Sequence, residues 1–126
     1  MHWFSLGVAL LVAVGIIAIG LIYLLNPWAA TQSFGLPLPE KAANVTWWLR
    51  LKGVRDIVAG LVVLAVMAWD AHRMVGIVLL TQALIPLGDM SLILASKGSS
   101  RPAFGIHGVT AALMILAAIP LVVGAA

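Results

Sequence analysis

The chain contains no cysteine, and only 9% of its 126 residues carry a charge. The first absence excludes disulfide bonds, thiolate metal sites and CxxC redox chemistry. The second excludes a water-soluble globule, because 63% of the residues are hydrophobic and too few polar side chains remain to cover a protein of this size. The composition therefore predicts an integral membrane protein.

Four apolar runs each have the roughly 20 residues that cross a bilayer as a helix. They cover residues 3–25, 45–69, 75–95 and 102–123. A β-barrel would need shorter segments in which apolar and polar residues alternate, and the sequence shows no such alternation. We therefore predict an all-α fold, an antiparallel up-down bundle of four transmembrane helices that forms a single domain over residues 1–126.

The few cations are distributed unevenly between the two ends of these spans. Loop one (residues 29–44), loop three (residues 96–101) and the start of the second span hold Lys41, Arg50, Lys52, Lys97 and Arg101. The opposite end holds Arg73. The positive-inside rule then makes loops one and three cytoplasmic and places both termini outside, as expected for a protein of the bacterial inner membrane. The net charge of +3 is explained by these residues, so we expect lipid headgroup contacts and no nucleic-acid partner.

Two further features shape the spans, and a third concerns loop one. We expect the first run to be a retained span, because its start has no Lys or Arg and its apolar stretch exceeds that of a signal peptide. Pro86 removes the helical hydrogen bond to the carbonyl of Gln82 and predicts a kink near Gly88 and Asp89. Gln82 is then the simplest partner for the freed backbone. In loop one, the apolar run 34–39 with two prolines predicts an extended segment on or under the membrane interface.

Polar side chains from all four spans lie at a similar depth. At a rise of about 1.5 Å per residue, Asp56 lies roughly 13 Å, Asp89 roughly 10 Å and His107 roughly 8 Å from the cytoplasmic boundary. Tyr23 reaches the same level from the first span. Because the outer halves of the spans are nearly free of polar residues, we interpret this level as a site.

The charges at this level can pair in two ways. Lys52 and Asp56 are four residues apart and share one helix face. Arg55 is turned about 100° from Asp56 and could reach Asp89 across the helix pair. A catalytic use of these groups competes with a structural one, in which two ion pairs only fix the register of the helices.

Four motifs occur in a familiar order: Phe34-Gly35-Leu36-Pro37, Lys52-Gly53-Val54-Arg55-Asp56, Ile85-Pro86-Leu87-Gly88-Asp89 and His107-Gly108-Val109-Thr110. They resemble a family of small four-helix membrane proteins, bacterial and fungal, catalogued as a domain of unknown function. The architecture is more distantly similar to DoxX-like proteins. The first resemblance implies the same fold and a site at Lys52, Arg55, Asp56, Asp89 and His107. Members found near secondary-metabolite genes point to a small-molecule enzyme, by association only.

We expect an enzyme that performs acid/base chemistry on a lipophilic small molecule arriving from the bilayer. Two carboxylates beside cations in a low-dielectric site can differ in proton affinity, as epoxide opening, isomerisation or cyclisation requires. The predicted catalytic residues are Asp56 and Asp89 as the acid/base pair, with His107 and Tyr23 as relay or orienting groups. The predicted substrate-binding residues are Lys52, Arg55, Arg50 and Gln82.

No cofactor is expected, and no metal site is predicted, because His107 stands alone while His2 and His72 lie at the opposite end of the spans. The expected partners are membrane lipids and the lipophilic molecule, and the chain could form a homo-oligomer. Two other classes stay open. A transporter or proton relay would need polar groups in both leaflets, which a single chain lacks. A non-catalytic accessory subunit would use its charges to bind a partner or an anionic lipid.

Overall fold

The structure is a computed structural model that describes residues 2–124. This part of the chain is helical and contains no strand. The helices are α1 (His2–Leu25), α2 (Pro27–Thr31), α3 (Ala43–Ala68), α4 (His72–Gln82), α5 (Leu84–Ala95) and α6 (Ser100–Val123). The predicted all-α fold is confirmed.

Three helical segments are long and apolar enough to cross a membrane. They are α1, the consecutive pair α4 and α5 (His72–Ala95), and α6, each with 24 residues. They indicate a membrane protein. The remaining long helix, α3, has 26 residues and matches the predicted run 45–69 in position, but it carries the charges that begin at Arg50. α3 is therefore the most polar of the four long helical segments.

Glycines bring α1 and α3 into close antiparallel contact. A Cβ added to Gly53 would lie 2.5 Å from the carbonyl oxygen of Gly20, and one added to Gly60 would lie 2.6 Å from that of Ala13. Small residues allow such an approach where lipid supplies no hydrophobic drive between helices. The face of α3 that carries Gly53 and Gly60 is therefore covered by α1.

At the end of the molecule that contains His2 and His72, α4 packs against α6. There α6 crosses α4, and a Cβ on Gly76 would meet the Leu121 side chain at 2.9 Å. The apolar core lies nearby and includes Val63, Val75, Leu79, Met114 and Leu121. His2 Nε2 lies 2.6 Å from His72 Nδ1, so these two rings contact each other, far from His107.

Two helices depart from regular α geometry. The α4–α5 segment is interrupted at Ala83, three residues before Pro86, and α5 then runs regularly through Gly88. The irregularity expected near Gly88 is thus found five residues earlier, at Ala83, because the proline ring and its missing N–H disturb the turn that precedes the proline. In α6, residues Ala103–Gly108 form a π-helical segment that the sequence did not predict.

Candidate functional site

Lys52 is the cation at the centre of the site. Its Nζ donates a hydrogen bond to Asp56 Oδ2 at 2.7 Å, one turn further along α3. The same ammonium lies 4.2 Å from the centre of the Tyr23 ring and 5.1 Å from that of Phe34. Asp56 is buried, with 8% of its surface exposed, so this single ion pair compensates its charge.

His107 and Asp89 form the second part of the site. The imidazole Nδ1 lies 3.7 Å from Asp89 Oδ2, and the ring is buried. On its other side, Nε2 lies 3.0 Å from the carbonyl oxygen of Phe34. Because a carbonyl oxygen only accepts, Nε2 carries the proton of this hydrogen bond, and Nδ1 faces the carboxylate. A small movement would bring Nδ1 and Asp89 within hydrogen-bonding distance.

The π-helical segment gives His107 its position. It lies within Ala103–Gly108, where the helix turn is wider than in α-helix, and it is a buried residue of that segment. Such π-helical turns are rare and are frequent at functional sites. Met90 of α5 contacts this segment at Gly108, where an added Cβ would lie 3.2 Å from the sulfur.

Phe34 is a site residue that the sequence did not identify as one. Its ring centre lies 4.5 Å from that of His107, in addition to its carbonyl contact. Loop one is held beside it, since Ser99 N–H donates to the Gly35 carbonyl at 2.8 Å. Gly35 has φ +112°, a conformation that a side chain would strain. The first resemblance motif contains Phe34, which was the available signal, but a role played by a backbone carbonyl is invisible in a sequence.

A cavity of about 420 Å³, here called the lateral cavity, contains these groups. Asp56, Asp89 and His107 line one end of it, and Gln82 and Met114 lie elsewhere in its wall. Its remaining lining is mostly apolar and includes exposed side chains from α1 on one side and from α5 and α6 on the other, among them Leu11, Ile19, Ile85 and Ile106. The cavity therefore opens sideways, between α1 and the α5–α6 pair, on the surface that would face acyl chains.

The other predicted residues divide between this cavity and the exterior. Tyr23 is buried and lines the cavity. Gln82 also lines it, and its Nε2 donates to the carbonyl of Ala59 on α3 at 3.1 Å. The backbone partner of Gln82 is therefore on a neighbouring helix rather than at the break beside it.

Arg50 and Arg55 lie outside the lateral cavity. The Arg50 guanidinium stacks 4.9 Å from the centre of the Trp47 ring. Arg55 is exposed and pairs with no carboxylate in the described part of the chain, so its predicted contact with Asp89 was wrong. The turn of about 100° from Asp56 directs Arg55 to the outer face of α3.

The described residues 2–124 contain no group of three His, Asp or Glu side chains arranged to hold a metal ion. Asp89 and His107 supply two possible ligands, whereas a structural or catalytic zinc site uses at least three from the protein. What the arrangement can do is accept, donate and relay protons beside an apolar cavity.

The chain matches one protein family over residues 13–121, described as a domain of unknown function, DUF4267. No curated protein matches the chain. No solved structure matches it either. Since the match extends over most of the sequence, the chain belongs to the DUF4267 family, and the first resemblance seen in its motifs is confirmed.

Proposed function

We propose that this DUF4267 protein is an integral membrane enzyme that performs acid/base chemistry on a lipophilic small molecule. One observation carries the proposal: the lateral cavity is apolar and opens toward lipid, and Asp56, Asp89 and His107 line it together. A substrate could reach these groups from the bilayer without crossing water. Concave apolar sites with a few convergent polar groups are the usual form of small-molecule sites.

The membrane arrangement belongs to the same proposal. α3 serves as the fourth span of an antiparallel bundle, because Lys52 and Asp56 face the cavity and neutralise each other instead of facing lipid. The site end, with loops one and three, is cytoplasmic, and the termini are outside the bacterial inner membrane.

Epoxide opening illustrates the chemistry that these groups support. Asp56, which bears the Lys52 ion pair, accepts a proton from an attacking water or substrate hydroxyl as the new C–O bond forms. Asp89 in its acid form donates a proton to the epoxide oxygen as the old C–O bond breaks. The proton that Asp56 has gained can then pass to Asp89 through the Tyr23 hydroxyl and the His107 imidazole, whose Nδ1 lies 3.7 Å from Asp89 Oδ2, so the enzyme ends in its starting state. Isomerisation or cyclisation would use the same donor and acceptor on a different bond.

Turnover of lipophilic epoxides by the purified protein in proteoliposomes tests the proposal. Asp56→Asn and Asp89→Asn should each lower kcat by about 100-fold or more, the size of a general acid or base contribution. Asp70→Asn is the matched control, because the Asp70 side chain is 88% exposed and contacts His72 at the opposite end of the molecule. If both site variants keep wild-type turnover, the enzyme proposal is wrong, and an accessory subunit or a transporter becomes the favoured function.

A further inference from the structure

A second cavity lies beneath loop one. It has a volume of about 290 Å³, here called the loop cavity. The residues that belong to it alone are apolar apart from Thr31 and include Leu36, Pro37, Pro39, Leu49 and Leu92. The loop thus covers an apolar space at the end of the bundle where the charged residues lie.

The two cavities are adjacent and have four lining residues in common, two of them charged. Tyr23, Phe34, Lys52 and Asp89 line both of them. Lys52 lies against both aromatic rings, and the Phe34 backbone is fixed by His107. Asp89 therefore stands between two apolar spaces, whereas Asp56 and His107 line the lateral cavity alone.

This arrangement of two cavities favours one shape of ligand. A molecule whose polar group is terminal can place it beside Asp89 but leaves the loop cavity without apolar contacts. A molecule with an apolar arm on each side of its polar group fills both spaces and gains dispersion contacts with their walls. The fit of the ligand to the two cavities determines its affinity, because an arm that leaves lipid for an apolar cavity gains little hydrophobic free energy.

We infer that the substrate is an elongated lipophilic molecule whose reactive group is internal, with the larger arm in the lateral cavity and the smaller arm in the loop cavity. The inference rests on the proposed function and adds the class of substrate to it. The lateral cavity, at about 420 Å³, is larger than the loop cavity, at about 290 Å³, so the longer arm is assigned to the lateral cavity.

Binding of two isomers tests the inference without requiring turnover. The probes are the mid-chain and the terminal monoepoxide of hexadecane, one of them deuterated, which compete for the detergent-solubilised protein in native mass spectrometry. In a second experiment the other isomer carries the deuterium label. Wild-type protein should bind the mid-chain isomer about tenfold more than the terminal one, a difference of about 1.4 kcal/mol.

Two tryptophan variants locate the second arm. Leu49→Trp fills the loop cavity and should abolish the preference, while binding of the terminal isomer stays at the wild-type level and shows that the variant is folded. Leu51→Trp is the matched control, because Leu51 lies on the same helix, is 41% exposed and lines neither cavity. It should keep the preference. Leu92→Trp, from α5, repeats the test if Leu49→Trp does not fold.

The outcomes separate this inference from the proposed function. Saturable binding of both isomers without a preference, or a preference that survives both Leu49→Trp and Leu92→Trp, overturns the internal-group substrate and leaves the acid/base enzyme standing. If neither isomer binds, and Asp56→Asn and Asp89→Asn leave turnover unchanged, the internal-group substrate and the acid/base enzyme are both overturned.

Discussion

Lys52 contacts three neighbours: it forms an ion pair with Asp56 and cation–π contacts with the Tyr23 and Phe34 rings. Removing its charge leaves the buried Asp56 carboxylate without compensation, which is costly in an apolar environment. We expect Lys52→Met to lower the free energy of unfolding, and Asp56→Asn added to it to restore part of the loss. A double-mutant cycle, measured by unfolding in mixed micelles, should give a coupling energy of about 1–2 kcal/mol. A coupling energy near zero would show that the pair contributes nothing to stability.

The residues of the site differ in how visible they are in the sequence. Lys52 and Asp56 are four apart on a helix, so their contact follows from helix geometry alone. Asp89 and His107 could be placed at one depth, because depth needs only the helical rise. The outward direction of Arg55 and the carbonyl contact of Phe34 could not be predicted, since they depend on how the helices are rotated and on where a loop folds.

At the scale of elements, the contact between α1 and α3 depends on glycines. We expect Gly53→Ala to lower the free energy of unfolding by about 1–3 kcal/mol, the usual cost of overpacking, because its Cβ would meet the Gly20 carbonyl. Gly7→Ala, where an added Cβ meets no atom within 4 Å, is the control and should be neutral or slightly stabilising. Equal stability of the two variants would mean that the helices can separate without loss.

Loop one is held by hydrogen bonds to two other elements, His107 Nε2 to Phe34 and Ser99 N–H to Gly35. We expect His107→Ala to accelerate amide hydrogen exchange at residues 32–36 and Ser99 by about fivefold, since one hydrogen bond of about 1 kcal/mol is lost. Thr110→Val is the control, because the Thr110 hydroxyl donates only to Ile106 of its own helix, at 2.7 Å. Unchanged exchange in His107→Ala would show that the loop is held by other contacts.

Helix limits were more predictable than helix irregularities. The apolar runs located the long helices within a few residues, because length and hydropathy determine them. The π-helical segment of α6 could not be predicted from those quantities, since one widened turn leaves composition unchanged. Pro86 predicted that the helix is interrupted, but the interruption lies in the turn before the proline, at Ala83, and not after it.

For the whole molecule, the lack of cysteine makes the proposed topology directly testable. A single-cysteine variant reports one position, with no background from the native chain. We expect Asp70→Cys to react with a membrane-impermeant maleimide in intact spheroplasts, and Lys97→Cys to react only after permeabilisation. The reverse pattern would place the site in the outer leaflet and contradict the positive-inside assignment.

Because the lateral cavity opens sideways, the ligand concentration that controls binding is the concentration within the bilayer. Phospholipid tails surround that opening and compete with any ligand for it, so occupancy follows the mole fraction of ligand in the bilayer and not its molarity in buffer. We expect the rate to fall when inert phospholipid dilutes a fixed amount of substrate within the vesicles, and to stay constant when only the aqueous volume is increased. For a molecule that partitions almost completely into the bilayer, a rate that follows the aqueous volume instead would indicate access from water. KM values for this protein should therefore be expressed as mole fractions of substrate in the bilayer.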